Sequence, residues 1–233
     1  MIYKDFYTPN NMFVIVVGNF NKDEVINFIR NYMKRFKLNN NKITINKIKE
    51  PDKVKIAYEI VNKRISEDKV YYSIKINKNT FENINKIDLN YYLQILLSSN
   101  FSTTSFLYEK YKNQNIITSM KSDFKIFDNH IIITVKAVTP NSNEFVKNIK
   151  NDIKNISILP ETFERKKKKI LSSLILSFEN IEDVEYLITN NILLNKKLYN
   201  KDYRTIKNLK FDIMTSIIKK INFDNQSILI CTK

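Results

Sequence analysis

The sequence is poor in the residues that usually carry chemistry or cross-links: among 233 residues there is one cysteine, one histidine, one glycine and no tryptophan. With Cys231 alone, no disulfide bond can form within the chain, and a reducing compartment fits this usage best. No apolar run approaches the ~18 residues of a membrane-spanning helix, and no signal-peptide core precedes the first apolar segment. We therefore expect a cytoplasmic protein with no membrane partner.

The single histidine, His130, restricts metal binding. Protein zinc sites combine several histidine, cysteine or carboxylate ligands around one ion. His130 follows Asn129 at the start of an apolar segment, and only a set of carboxylates could complete a site around it. We expect a structural or surface histidine, with no metal and no other cofactor bound by this chain.

Positive charge dominates the chain, because 39 lysine and arginine residues against 24 acidic ones give a formal net charge of +15. Nucleic acid is a usual partner of such a chain when the charge clusters on one surface. Here lysine recurs along the whole sequence together with asparagine and isoleucine, which indicates a compositional bias. The lysines at residues 166–169 would spread around a helix axis, so we expect them to be solvated. A nucleic-acid-binding protein is the less favoured alternative.

Hydrophobic periodicity predicts strands and helices that alternate along the chain. The predicted strands are residues 12–17, 54–61, 70–76, 116–127, 130–138 and 227–231. The predicted helices are residues 23–36, 84–96, 106–111, 140–156, 160–178, 181–195 and 211–221, and residues 37–52 form a polar linker. Adjacent strands joined by short turns pair antiparallel, so we predict an α+β fold with a mixed, largely antiparallel sheet and helices layered on one face.

The opening stretch FYTPNNMFVIVVGNFNKDEV combines a Tyr-x-Pro-x-Asn-Met lead-in, an apolar segment, a glycine and a helix start. The residues of this pattern are Tyr7, Pro9, Asn11, Met12, Gly18 and Asn19. In order and spacing they resemble the end of the first α+β unit of the pitrilysin/insulinase-type zinc metallopeptidases. Strand–glycine–helix is common by itself, and the lead-in makes the likeness more specific.

Later segments resemble the second, non-catalytic unit of the same family. They are the strand VYYSIKI, the short helix and strand start marked by Ser105, Leu107, Tyr108, Ile116 and Ile117, and the long basic helix of residues 160–179. The likeness implies a fold similar to that of the pitrilysin and mitochondrial processing peptidases. It also implies two parts: residues 1–50 as the tail of a first unit plus a linker, and residues 51–233 as a complete second unit.

The zinc motif of that family is what this chain lacks. The family holds zinc with an H-x-x-E-H helix and a downstream glutamate, and a chain with one histidine cannot contain this motif. The resemblance therefore implies no catalytic residue here and no activity of the chain alone. It implies part of a peptide-enclosing chamber, with a zinc-bearing peptidase unit or chain and a peptide substrate as partners. An inactive family member that serves as a binding or assembly subunit is the alternative.

One stretch of the second unit resembles a substrate-contact pattern, L-R-E-x-x-G-L-x-Y, in which the arginine and tyrosine reach the substrate. Here residues 110–118 read KYKNQNIIT. Depending on a one-residue gap, Tyr111 or Lys112 falls at the arginine position, and Thr118 falls at the tyrosine position. Asn115 replaces the glycine, which is a departure from the pattern. The resemblance thus makes Tyr111, Lys112 and Thr118 the candidate substrate-binding residues.

Overall fold

The computed structural model describes residues 6–36, 50–195, 198 and 200–232. The chain divides into two compact units. The sheet unit comprises residues 49–171 and 202–233, and the smaller unit comprises residues 1–48 and 172–201. This division reflects which residues contact one another. The boundary at residue 50 was expected from the resemblance to the family, and it stays a prediction.

A five-stranded sheet organises the sheet unit. Its strands are β1 (Tyr58–Asn62), β2 (Asp68–Asn77), β3 (Ser119–Ile126), β4 (His130–Thr139) and β5 (Gln226–Thr232). They lie in the order β1-β5-β2-β4-β3, with β1 and β5 parallel and the other three pairs antiparallel. The predicted α+β fold with a largely antiparallel sheet is confirmed.

The helices, in chain order, are α1 (Lys22–Met33), α2 (Lys86–Phe101), α3 (Phe106–Asn113), α4 (Ser142–Asp152), α5 (Pro160–Leu176), α6 (Ile181–Asn195), α7 (Asp202–Lys207) and α8 (Phe211–Lys220). The boundary between the two units falls within α5, after Leu171. The six-residue helix α7 has no counterpart among the predicted helices, because it is too short for a periodic pattern. Within the described ranges, no helix is both long and apolar enough to cross a membrane.

Strand β4 shows how the sheet separates its two faces. Ile131, Ile133, Val135 and Ala137 are buried, and the residues between them remain partly exposed. Since successive side chains of a strand point to opposite faces, the buried set marks the face under the helices. Helix α2 packs against β3 and α4 against β2. The core of the sheet unit therefore lies on one side of the sheet, as predicted.

Asparagine residues begin several helices, although the composition alone suggests only a general bias toward asparagine. Asn85 accepts hydrogen bonds from the backbone N–H groups of Ile87 and Asp88 at the start of α2. Asn141 accepts one from the N–H of Glu144 at the start of α4. Such caps satisfy N–H groups that have no partner inside the helix and typically contribute ~1 kcal/mol each.

Residues 12–17 correct one prediction. They were expected to form a strand, but within the described chain they belong to none. A strand needs a neighbour for its backbone hydrogen bonds, and the smaller unit supplies none among its described residues. Three of the side chains are exposed to solvent, with exposed fractions of 61% for Met12, 66% for Val14 and 45% for Val16. Most of the predicted linker, residues 37–49, lies outside the described residues.

The lysine run in α5 also differs from expectation. Lys166 is only 7% exposed, and its Nζ donates to the Ser98 carbonyl oxygen at 2.6 Å and to Ser102 Oγ at 3.3 Å. Carbonyl groups in the last turn of a helix lack partners within it and carry partial negative charge. Lys166 therefore caps the C-terminal end of α2, which a run of identical charges in the sequence does not reveal. Its neighbours Lys168 and Lys169 are exposed, as predicted.

Candidate functional site

The surroundings of His130 do not fit a zinc ion. Its Nδ1 lies 2.8 Å from Asn129 Oδ1, and its ring stacks on Phe127 with a centroid distance of 4.6 Å. Burial, followed by the charge of Lys75, lowers the pKa of His130. Among the described residues no group of three histidine, cysteine or carboxylate side chains is placed to hold a metal ion. The observed neighbours of His130 are thus an amide and an aromatic ring, and a structural role for this histidine stays a prediction.

The side of the sheet opposite the helices, here called the open face, is a patterned polar surface. The strand register arranges its side chains in four rows. These rows are Val61–Cys231–Lys69–Val138–Ser119, Glu59–Leu229–Tyr71–Lys136–Lys121, Ser227–Ser73–Thr134–Asp123 and Lys75–Ile132–Lys125. Most of these residues are partly or fully exposed. The open face therefore presents hydroxyl groups, aliphatic side chains and lysines together.

A shallow groove of about 510 Å³ runs across the middle of the open face. Its floor combines aliphatic and aromatic groups, Tyr71, Ile132 and Leu229, with hydroxyl groups. Ser73 Oγ and Thr134 Oγ1 lie 3.0 Å apart and hydrogen-bond to each other. Such a surface can accept apolar side chains while offering polar contacts at its rim.

The candidates Lys112 and Thr118 come together at the end of the sheet where β3 begins. Lys112 Nζ donates to the Thr118 carbonyl oxygen at 2.9 Å. Thr118 Oγ1 donates to Glu67 Oε1 at 2.5 Å, and the Thr118 N–H donates to the Val138 carbonyl oxygen at 2.8 Å. Lys112 and Thr118 are both exposed. The structure thus presents these two candidates on one accessible surface, and contact with a substrate stays a prediction.

Tyr111, the third candidate, has no exposed surface. Its hydroxyl donates to Asp152 Oδ2 at 2.8 Å, and the same oxygen accepts from Lys110 Nζ at 2.7 Å. The ring packs edge-on against Phe145. Burial, then the hydrogen bond to Asp152, raises the pKa of Tyr111. This side chain joins α3 to α4, and of the two alternatives for the arginine position only Lys112 is accessible.

The turn between α3 and β3 explains how Asn115 can stand where the resembled pattern has glycine. Asn115 has a φ of 55°, in the left-handed region. Its N–H donates to the Lys112 carbonyl oxygen at 3.1 Å, and the N–H of Ile116 donates to the Tyr111 carbonyl oxygen at 2.9 Å. These bonds form a Schellman motif, in which asparagine is the usual substitute for glycine. The backbone path that places Lys112 beside Thr118 is therefore kept.

Sequence reasoning missed the lysines of the open face. Lys69, Lys121 and Lys125 point to that face, although each looked like part of a general excess of lysine. The period-two alternation of β4 could have revealed the open face, because the exposed positions of a half-buried strand define a surface. The strand order, which places β3 and β2 on either side of β4, was not readable from the sequence.

Comparison with known proteins gives a family for this arrangement. A family model described as the peptidase M16 inactive domain matches residues 2–170, more than half of the chain. A search of curated proteins gave no significant match.

Solved structures with a similar fold include several peptidases. A protease from Helicobacter pylori has a TM-score of 0.82 at 18% identity, covering 100% of this chain and 58% of that one. An M16-like peptidase from Alicyclobacillus acidocaldarius has a TM-score of 0.77 at 15% identity, covering 91% and 52%. A chain of complex III2 from Candida albicans has a TM-score of 0.63 at 18% identity, covering 91% and 52%. The present chain thus spans little more than half of these structures, and at such identities the likeness is one of fold.

Proposed function

Because the chain belongs to the peptidase M16 inactive-domain family, whose model matches residues 2–170, we propose that it is the non-catalytic part of a peptidase and forms part of a chamber around a peptide. Peptide cleavage then depends on zinc held by a partner unit or chain. The observation that carries this proposal is the open face: a wide, partly exposed sheet surface with a groove and, within the described residues, no metal-binding set.

The apolar segment of residues 12–17 supports the need for a partner. Its backbone forms no ladder within the described chain, and Met12 and Val14 are among the most exposed large apolar residues. The adjoining helix α1 exposes Phe28 at 71% and Tyr32 at 49%. Exposed apolar side chains in such number are typical of interaction sites, and an unpaired apolar segment is suited to join another sheet. We therefore assign this surface to the zinc-bearing partner.

Within the chamber, we assign substrate contact to Lys112 and Thr118. Both are exposed, and the hydrogen bond between Lys112 and the Thr118 carbonyl group holds them together. The ammonium group can pair with a carboxylate or carbonyl oxygen of a bound peptide, while the hydroxyl of Thr118, which donates to Glu67, can still accept a hydrogen bond. Tyr111 takes no part in this contact because it is fully buried.

Capture of the tagged full-length chain from the cells that make it tests the proposal. We expect a co-purifying chain that contains H-x-x-E-H, and peptide cleavage that a zinc chelator abolishes and added zinc restores. Val14→Asp should prevent this capture, because it places a charge in the exposed apolar segment. Phe106→Asp is the matched control, since Phe106 is 78% exposed but lies at the start of α3. Cleavage that the chelator leaves unchanged would contradict the proposal.

The second candidate function is that of an assembly subunit. The fold that the present chain shares with a chain of complex III2 favours this alternative. The same capture separates the two functions, since an assembly subunit would bring down a stable complex with no chelator-sensitive cleavage. We also propose a cytoplasmic location, in keeping with the single cysteine. Cell fractionation would test that location directly.

A further inference from the structure

We propose that the open face binds extended peptides whose carboxylate side chains are spaced four residues apart. This inference rests on the proposed function, because it names the class of peptide that the chamber wall selects. It draws on the placement of charges on the open face, on the groove between them, and on strand geometry.

Charge on the open face is strongly one-sided. Two carboxylates, Asp123 and Glu59 of β1, and five lysines occupy its rows; the lysines are Lys69, Lys75, Lys121, Lys125 and Lys136. Two of the lysines are already neutralised, because Lys75 pairs with Glu50 at 2.7 Å and Lys136 pairs with Asp123. Lys69, Lys121 and Lys125 have no ion-pair partner in the part of the chain that the structure describes. The surplus at this face is therefore positive and attracts carboxylates.

Spacing makes the attraction selective. Lys121 and Lys125 lie on the same face of the edge strand β3, four residues and so about 13 Å apart. An extended peptide running along β3 turns every second side chain to this face. Its residues i and i+4 can then reach the two ammonium groups, whereas residue i+2 meets Asp123, whose charge is paired with that of Lys136 and which therefore offers an acid no attraction. The favoured peptide carries acids at i and i+4 and none at i+2.

The groove indicates which kind of side chain the peptide carries at position i+2. Tyr71, Ile132 and Leu229 line it with carbon, and the hydroxyls of Ser73 and Thr134 are already paired with each other. An aliphatic side chain at i+2 fits this lining and loses contact with water there.

A single-stranded nucleic acid suits the same surface less well. Between Lys121 and Lys125 its phosphates would meet Asp123, whose pairing with Lys136 leaves no surplus positive charge there. Its bases would need free aromatic faces, and of the two aromatic residues that line the groove Phe127 already stacks on His130, which leaves Tyr71. The face therefore favours a peptide, and binding of nucleic acid is an outcome that the experiment can register.

Fluorescence anisotropy with the purified full chain and the labelled synthetic peptide TTDTLTDTT tests the proposal. The peptide TTNTLTNTT removes the charges, and TTDTDTLTT keeps the composition but moves one acid to the central position. We expect the first peptide to bind more tightly than either control, and its affinity to fall as salt is added. Exposed ion pairs are individually weak, so removal of two should weaken binding about three- to tenfold.

Matched variants locate the site. Lys121→Gln combined with Lys125→Gln should produce that three- to tenfold loss. Lys219→Gln combined with Lys220→Gln, at the exposed end of α8, removes the same charge and should leave binding unchanged. An unchanged melting temperature shows that the first variant remains folded.

Three outcomes would overturn the proposal: equal binding of the three peptides, equal loss in both double variants, or tighter binding of single-stranded DNA of similar length. The test requires no partner and no zinc, so it is independent of the capture experiment. If the peptides are selected but the capture experiment yields no zinc-bearing partner, the proposed function is refuted and this inference stands. Capture of an active partner without peptide selection would do the reverse.

Discussion

Replacement of Tyr111 by phenylalanine separates a structural role from a substrate-binding one. The substitution removes one hydroxyl group and leaves the ring, which is fully buried against Phe145. What is lost is the hydrogen bond to Asp152 Oδ2 at 2.8 Å. Asp152 retains the ammonium group of Lys110 at 2.7 Å, so its carboxylate is not left without a partner.

The expected cost follows from these contacts. A hydrogen bond to a charged group contributes ~1.5–3 kcal/mol to the free energy of unfolding. The Asp152 side chain is 23% exposed, so water can replace part of the lost bond. We therefore expect a loss of about 1–2 kcal/mol, which in a chain of this size lowers the melting temperature by roughly 2–8 °C.

Thermal unfolding followed by circular dichroism measures this loss, and peptide anisotropy on the same sample measures binding. We expect Tyr111→Phe to unfold earlier while binding the peptide as the parent chain does. Lys112→Gln should keep the melting temperature of the parent chain, because Lys112 is exposed and contributes little to the core. It should bind the peptide more weakly. An unchanged melting temperature combined with lost peptide binding in Tyr111→Phe would refute the assignment.

Three further predictions concern single positions in the sheet unit. Ser99→Ala should stabilise the chain by roughly 0.5–1 kcal/mol in thermal unfolding, because the buried Ser99 Oγ has no hydrogen-bond partner among the described residues and alanine favours the helix; a loss of stability would reveal a missing partner. Asn115→Ala should cost about 1–2 kcal/mol and Asn115→Gly almost nothing, since φ is 55° there; equal effects would argue against the left-handed turn. Burial, aided by the charge of Asp224, raises the pKa of Tyr72 to about 12, so stability should be complete below pH ~10 and fall as the pH rises from there, because only the unfolded chain then ionises. Tyr72→Phe should flatten that decline in alkaline unfolding curves, and an unaltered decline would contradict the assignment.

The sequence predicted the fold well wherever patterns are local. The apolar alternation of residues 130–138 and the short turn before it predicted the β3–β4 pair, which the structure has at Ser119–Ile126 and His130–Thr139. Pro160 correctly marked the first residue of α5. Both signals come from neighbouring residues, and so no knowledge of the distant chain was needed.

What the sequence could not supply are properties of distant pairs. Burial of Lys166 depends on the carbonyl group of Ser98, 68 positions away. The charge of the open face depends on the register of β2, β4 and β3, which joins Lys69 and Lys121 on one surface. The predicted strand at residues 12–17 failed for a related reason, because an apolar run indicates strand character but cannot provide the neighbouring strand.

The candidate substrate-binding residues came from the resemblance to the peptidase family, and the structure reduced their number. Residues 110–118 gave Tyr111 and Lys112 as alternatives for one position. Only the fold distinguishes them, since adjacent residues of a helix point about 100° apart and one of the two enters the core. The glycine-like conformation of Asn115 likewise became visible only in the backbone.

The metal content of the purified chain tests most directly the claim that it has no hydrolytic centre of its own. The full-length protein is saturated with zinc, freed of unbound metal by gel filtration, and assayed for zinc by mass spectrometry and for peptide cleavage. With a single histidine that is engaged by Asn129 and Phe127, we expect neither stoichiometric zinc nor cleavage. Retention of one zinc ion per chain, together with cleavage that a chelator abolishes, would contradict this claim.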